Sequence, residues 1–330
     1  MKSKTTFLLL LITSSWISIT PFVQSTTLSK YPETTPQHSN LTTEILFARP
    51  PICPKNKTCY PPPRSPNQIQ ILSPIEGSFL FNDSPSTISW SDVPNATRYS
   101  VSIEHAGEII WDTIVTNATE IPYPSDVSLD EGKDYKLTVR TNSNQVFGNV
   151  TFRRLSQEET QQIQAEVNLI NNNPNLSESE KALKIANLYS RNSLFYGAIN
   201  TLLNANEEQH SVILSEQIGD LYWNVEQPIL AKPYYEKALR LAINSDNLNQ
   251  QADAKVGLGL VNMAQSNWEE SIQWLQEART HYQALNQLNL ATEIARLLAE
   301  VYEKSGDRTQ SLYWSEKAKI ESENLDAIEK

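Results

Sequence analysis

The chain has 330 residues, 39 % of them hydrophobic and 20 % charged, with a formal net charge of −11. That length suffices for two ordinary domains plus appendages. The acidic balance disfavours nucleic acid, whose phosphates require a basic face, and biases the protein toward cationic partners.

Residues 1–25 read as an export signal. Lys2 and Lys4 precede an apolar stretch from Phe7 to Ile19, and Val23 and Ser25 suit a signal peptidase cutting after Ser25. The expected location is therefore periplasmic or extracellular, in the cell envelope. An uncleaved membrane anchor is the alternative, although Thr13, Ser14 and Ser15 interrupt an apolar core already short for a span. Losing two lysines leaves a mature charge of −11 − 2 = −13.

Residues 26–68 are rich in Thr, Ser and Pro and lack periodicity, which predicts an extended spacer or a disordered leader. The two cysteines, Cys53 and Cys59, lie within it, and in an exported chain they are expected to close a local disulfide clip. A metal site there would need two more ligands, and no His or further Cys is near.

Residues 69–155 change character. Short alternating runs dominate, among them Thr87-Ile88-Ser89-Trp90, Tyr99-Ser100-Val101-Ser102-Ile103 and Tyr135-Lys136-Leu137-Thr138-Val139. Period-two alternation between Asn, Pro, Gly and Asp turns predicts an antiparallel β-sandwich. Two details resemble the fibronectin type III and immunoglobulin-like class: Trp90 followed by Ala96-Thr97-Arg98-Tyr99, and the Leu129-x2-Gly132-x2-Tyr135 spacing of a tyrosine corner. The resemblance implies that the Tyr135 hydroxyl bonds back to the upstream backbone. A different seven-stranded sandwich is the alternative.

Residues 156–176 form a connecting helix. Ser156 with Glu159 is a capping box that opens it, the Asn-rich run at 171–175 ends it, and Ser177 with Glu180 opens the next helix. The connecting helix is expected to pack on the first repeat as a cap rather than act as a loose tether.

Residues 177–330 repeat. Ala198, Leu202 and Ala205 are echoed by Ala231, Tyr235 and Ala238, by Ser271, Leu275 and Ala278, and by Ser311, Ser315 and Ala318. Twelve residues before each copy stands a small residue: Ala186, Gly219, Gly259 and Ala299. These recur at 33, 40 and 40 residues (219−186, 259−219, 299−259). A fixed period of this size marks stacked helical hairpins, none of which buries its apolar face alone. Small residues such as Gly219 and Ala231 are expected to face each other where the two helices of a hairpin cross. The pattern resembles the tetratricopeptide repeat family over residues 179–325. Repeat two matches best, and repeat four departs most, with Ser315 where a large residue is usual. An unrelated helical bundle is the alternative. The 40-residue spacing adds roughly one turn per helix. The fold class is thus multidomain β + α, a sandwich followed by an all-α solenoid, and the combination looks like tetratricopeptide proteins of cyanobacterial and other Gram-negative envelopes.

No motif for catalysis is found. His38, His105, His210 and His281 are scattered, and phosphate loops, nucleophile elbows and paired-Cys patterns are missing from the sequence. No enzyme activity, cofactor or metal is expected. The resemblance implies a concave face lined by the first helix of each hairpin. On it fall Glu216, Asp220 and Trp223, then Asp253, Val256, Leu260 and Met263, then Arg296, Glu300 and Glu303. The family's carboxylate clamp is not matched, since only Asn187 fits and Leu183 stands where a Lys belongs. Acids around Trp223, Leu260 and Met263 predict capture of a cationic, amphipathic protein or peptide. The competing reading packs Trp223 and Met263 against the next repeat. A second reading places function in the sandwich, as a glycan or wall-polymer binder using Trp111 and Tyr123. The oligomeric state is left open.

Overall fold

The computed structural model describes residues 68–80, 83–142 and 146–328. The export signal, most of the spacer and the expected Cys53–Cys59 pair lie outside the described residues. No helix among the described residues is long and apolar enough to cross a membrane.

Among the described residues the β part holds eight strands: β1 (Ile71–Ser73), β2 (Gly77–Phe79), β3 (Thr87–Trp90), β4 (Arg98–His105), β5 (Glu108–Thr116), β6 (Glu120–Pro122), β7 (Asp134–Thr141) and β8 (Phe147–Arg154). They form a three-stranded sheet, β1-β3-β6, and a five-stranded sheet, β2-β8-β7-β4-β5. The larger sheet is mixed rather than wholly antiparallel, because β2 runs parallel to β8. Alternation serves the core: Val101, Ile103, Leu137 and Val139 point inward, and with Ile88 and Trp90 of the smaller sheet they share one apolar cluster. Trp90 is fully buried edge-on to Tyr99, ring centroids 5.3 Å apart. The Tyr135 hydroxyl accepts from the Asp130 backbone N–H at 2.7 Å, the back-bond that the spacing implied. β5 alternates from Ile110 to Thr116, with Trp111, Thr113 and Val115 on the less exposed side, but Ile109 and Ile110, beside the register shift opposite Ile103 and Glu104, are both exposed at the sheet edge.

Nine helices come next among the described residues. α1 (Gln157–Asn171) and α2 (Glu178–Arg191) each open on a complete capping box, from Ser156 with Glu159 and from Ser177 with Glu180. Ile163 and Val167 of α1 enter the same cluster as Ala182, Ile185 and Ala186 of α2, so α1 packs on the first hairpin. The hairpins are α2 with α3 (Phe195–Gln209), α4 (Val212–Asn224) with α5 (Pro228–Asn244), α6 (Leu248–Ala264) with α7 (Trp268–Ala284), and α8 (Leu288–Ser305) with α9 (Arg308–Ile328). The longer spacing falls in α5, α6 and α7, of 17 residues each, against 14, 15 and 13 in α2, α3 and α4.

A left-handed residue stands in every hairpin turn: Ser193, Glu226, Ser266 and Gly306, each seven residues after the small residue of its first helix. At the crossing a Cβ on Gly219 would lie 2.7 Å from Tyr235 Cε1, so the large residue of the second helix fills the space that glycine leaves. Gly259 meets Leu275 in the same way, also at 2.7 Å and sixteen residues on. There the small residue of the second helix meets it too: a Cβ on Gly259 would lie 3.5 Å from the Ser271 carbonyl oxygen, and the Ser271 hydroxyl donates to the Gly259 carbonyl at 2.8 Å.

The β part docks directly on two hairpin turns. The Ser78 N–H donates to the Ser193 carbonyl at 2.7 Å, and Gly77, at φ 129°, permits this approach because a Cβ would sit 2.4 Å from that oxygen. Phe79 packs on Tyr196, and Gln70 donates to the Glu226 carbonyl at 3.2 Å and to the Gln227 side chain, which in turn donates to the Ile71 carbonyl.

Candidate functional site

The ten expected groove residues fall into two groups. In repeats two and three the inner positions are buried: Glu216, Asp220 and Trp223 on α4, and Val256, Leu260 and Met263 on α6, with Asp253 half-buried beside them. Trp223, at 3 % exposure, and Met263, at 2 %, belong to one cluster with Tyr235, Val261 and Leu275. The expectation of an exposed apolar group rimmed by acids is therefore corrected for these residues. Small residues along α4 and α6 bring the stacked hairpins close enough to enclose the large ones. In repeat four the equivalent side chains are accessible: Arg296 and Glu300 are half-buried and Glu303 is exposed.

Polar partners fix the buried acids. Asp220 accepts from the Tyr235 hydroxyl at 2.8 Å and from the Gln217 amide at 3.2 Å. Asp253 accepts from the Tyr282 hydroxyl and from Asn249 at 3.0 Å. Both link a first helix to the second helix of its own hairpin, and the inter-helix tyrosine in each case rises from the apolar core. Lys255 reaches from α6 to Glu277 on α7 at 2.9 Å. Burial works to raise the Glu277 carboxyl, but hydrogen bonds from Lys255 and Gln273 outweigh it and hold the group below the usual carboxylate range. Burial and the Lys255 charge together push His281 below an ordinary histidine. In repeat four Arg296 pairs with Glu293, and Lys304 with Glu300 at 3.0 Å. The acidic rim expected from Glu300 is thus locally balanced.

A hollow of about 470 Å³ opens between α8 and α9, lined by Arg296, Ala299, Ser315, Ala318, Lys319 and Asp326 among others. Its cause is legible. Ser315 occupies the position of Tyr235 and Leu275, sixteen residues after the small residue of the hairpin, and cannot fill the crossing. The odd serine was visible in the sequence. The hollow it leaves was not, because no further helix of the described chain stacks there. A second cleft, about 420 Å³, lies where the β part meets the turns, lined by Glu76, Gly77, Arg153, Ser193 and Asn224 among others. Trp111 and Tyr123 do not form an exposed platform. Both are half-buried against the apolar cluster of the β part, and burial raises the Tyr123 hydroxyl. Among the described residues no group of three His, Cys, Asp or Glu side chains is arranged to hold a metal ion.

No family model matches the chain, and no curated protein sequence does. Solved structures do. BtubC from P. vanneervenii is 15 % identical, over 51 % of this chain and 74 % of its own, with a TM-score of 0.44. Aspartyl phosphate phosphatase F from Bacillus subtilis is 18 % identical over 49 % of this chain, which spans only 44 % of that one, with a TM-score of 0.44. The apo form of RapI is 16 % identical over 52 % and 64 %, with a TM-score of 0.45. The chain's own elements define its class: a β-rich unit bonded to the turns of an array of helical hairpins.

Proposed function

We propose that this chain is an exported, non-enzymatic interaction protein whose repeat array binds a protein or peptide partner, cationic and amphipathic, at the repeat-four end of its inner face. The observation that carries this reading is the α8–α9 hollow. It is apolar at its floor, through Ala299 and Ala318, and charged at its rim, through Arg296, Lys319, Glu323 and Asp326. An apolar pocket with a charged rim suits one bulky anchor side chain flanked by polar contacts. Glu303, Glu323 and Asp326 favour a cationic segment around that anchor. The β-rich unit, of fibronectin III-like or related sandwich type, then serves as a rigid base, since it is bonded to the turns of repeats one and two.

The test is a crosslinking capture from envelope extract with the exported chain, repeated with Ser315→Trp, which fills the hollow. Capture lost in Ser315→Trp, with the melting temperature unchanged or raised, supports the site. Capture retained in that variant and lost on substituting exposed residues of the β unit transfers function to the β unit, where a glycan or wall polymer becomes the ligand to screen.

A further inference from the structure

The hollow between α8 and α9 has counterparts further up the array. Ser315, Ala318, Lys319 and Ser322 of α9 line it. The same register, counted from the small residue of each first helix, gives Tyr235, Ala238, Leu239 and Ala242 on α5. All four are buried, and the α7 equivalents from Leu275 to Tyr282 are buried likewise. On α9 Ala318 is buried, but Ser315 and Lys319 are exposed and Ser322 is half-buried. The cover on α5 is the next helix. A Cβ on Gly257 of α6 would lie 2.5 Å from two atoms of the Tyr235 ring, so α6 rests directly on it. α6 also lies against α4, and therefore occupies the notch between α4 and α5. The α8–α9 hollow is the same notch at the end of the described array.

Side-chain size runs reciprocally along these notches. Large Tyr235 meets Gly257. One repeat further on, the same two positions hold Leu275 and Leu297, both buried in one cluster. Packed interiors keep a nearly constant density, so a small residue on one side calls for a large one on the other. Ser315 is small, and the helix that fits over it needs a large apolar residue at the position of Gly257 and Leu297.

Charge sets the direction. α6 runs antiparallel to α5, so a residue eight positions before Gly257 lies level with one eight positions after Tyr235. On α9 that later position is Glu323, with Asp326 three residues beyond, and both are exposed on the rim of the hollow. These acids stand beside the N-terminal turns of a helix laid in the notch. A helix N-terminus carries partial positive charge, and a Lys or Arg in those turns adds to the attraction.

We infer that the α8–α9 hollow takes an α-helix of a second protein, stacked antiparallel to α9 where the first helix of a further hairpin would lie. One large apolar side chain sits over Ser315, and a Lys or Arg about two turns earlier faces Glu323. The inference rests on the proposed reading of this end of the array as the partner site, and adds the partner's secondary structure, direction and register.

The experiment titrates the full-length chain with two lactam-stapled peptides of the α6 sequence, Leu248–Ala264. One has Gly257 as it stands and the other carries Gly257→Trp. Fluorescence anisotropy should show the Trp peptide binding about tenfold more tightly, the effect that burying one large side chain gives. On the Ser315→Tyr chain, which restores the pairing of Tyr235 with Gly257, the order of the two peptides should reverse. Asn249→Lys in the Trp peptide should tighten binding about threefold at low salt, and Glu323→Gln in the chain should remove that gain. A photo-crosslinker beside the Trp should label α8 or α9. Equal affinities, a preference unchanged by Ser315→Tyr, or crosslinks confined to other elements overturn the inference. Binding of neither peptide overturns it too. If partner capture is then still lost in Ser315→Trp, the partner site stands with an occupant that is not helical. If the peptide preference reverses as expected while Ser315→Trp leaves capture intact, the notch stands as a helix site and the proposed partner site is wrong.

Discussion

The Tyr235 ring lies against the backbone of Gly257: a Cβ there would be 2.5 Å from both Cδ1 and Cε1. The same ring faces Gly219 of its own hairpin. One tyrosine on α5 is therefore enclosed between α4 and α6, and its hydroxyl is tied to Asp220 at 2.8 Å. It joins repeat two to repeat three.

Adding a methyl on either side should overpack this joint. Gly219→Ala and Gly257→Ala are each expected to destabilise the protein by about 1–3 kcal/mol. Tyr235→Leu combined with Gly219→Ala should recover part of that loss, as repeat one carries Ala186 and Leu202 at the same two positions. Urea titrations of the two single variants and the double variant measure it.

Trp223 is core, so its truncation is a stability experiment. Trp223→Ala should cost about 3–5 kcal/mol, as large-to-small changes in packed cores do. Thermal melts check this, and a melt within a degree of the parent would contradict the burial of this ring.

The hollow at Ser315 has the opposite sign. Ser315→Leu should stabilise the protein by about 0.5–2 kcal/mol by filling space that Tyr235 and Leu275 fill elsewhere. The same change should weaken partner binding, read by titration calorimetry once a partner is identified.

The turn residue Ser266 sits at φ 62°, in the left-handed region that only glycine adopts without penalty. Ser266→Gly is expected to gain about 0.5–1 kcal/mol, less than the full strain because glycine also loses more chain entropy. Gly306→Ala, at the equivalent turn with φ 90°, should lose a similar amount. Chemical denaturation of both variants compares the turns directly.

The Ser156–Glu159 capping box gives a pH dependence. Hydrogen bonds from Ser156, with Arg153 adding to them, hold the Glu159 carboxyl below its ordinary value of 4.5. A carboxylate depressed in the folded state contributes stability that is fully present above 4.5 and is lost as pH falls through the lower folded value. Ser156→Ala should cost about 1 kcal/mol near neutral pH, and Glu159→Gln should flatten the acid limb of a stability–pH curve. Stability curves between pH 3 and 7 provide the measurement.

Local signals carried much of this architecture. Serine–glutamate boxes define helix starts because the bonds they make lie within four residues. The small-residue register located the hairpins and even the odd Ser315, because crossing geometry repeats with the helix. Alternation around Trp90, Tyr99 and Leu137 located the apolar cluster that the two sheets share. The exposed–buried split of the inner face was not legible: Trp223 and Met263 have the same hydrophobic spacing whether they face solvent or a neighbouring repeat. Nor was the meeting of Gly219 with Tyr235, since sequence spacing gives the helix face but not which side chain leans across.

The sequence by itself determined helices, strands, repeat register and the acidic character of the array, since each depends on neighbours within one or two turns. Tertiary structure alone decided that the β unit bonds to the turns at Ser193 and Gln227, that Trp223 is enclosed, and that Ser315 leaves a hollow. Those outcomes depend on how close two surfaces far apart in the chain come, which is set by the summed packing of all the repeats.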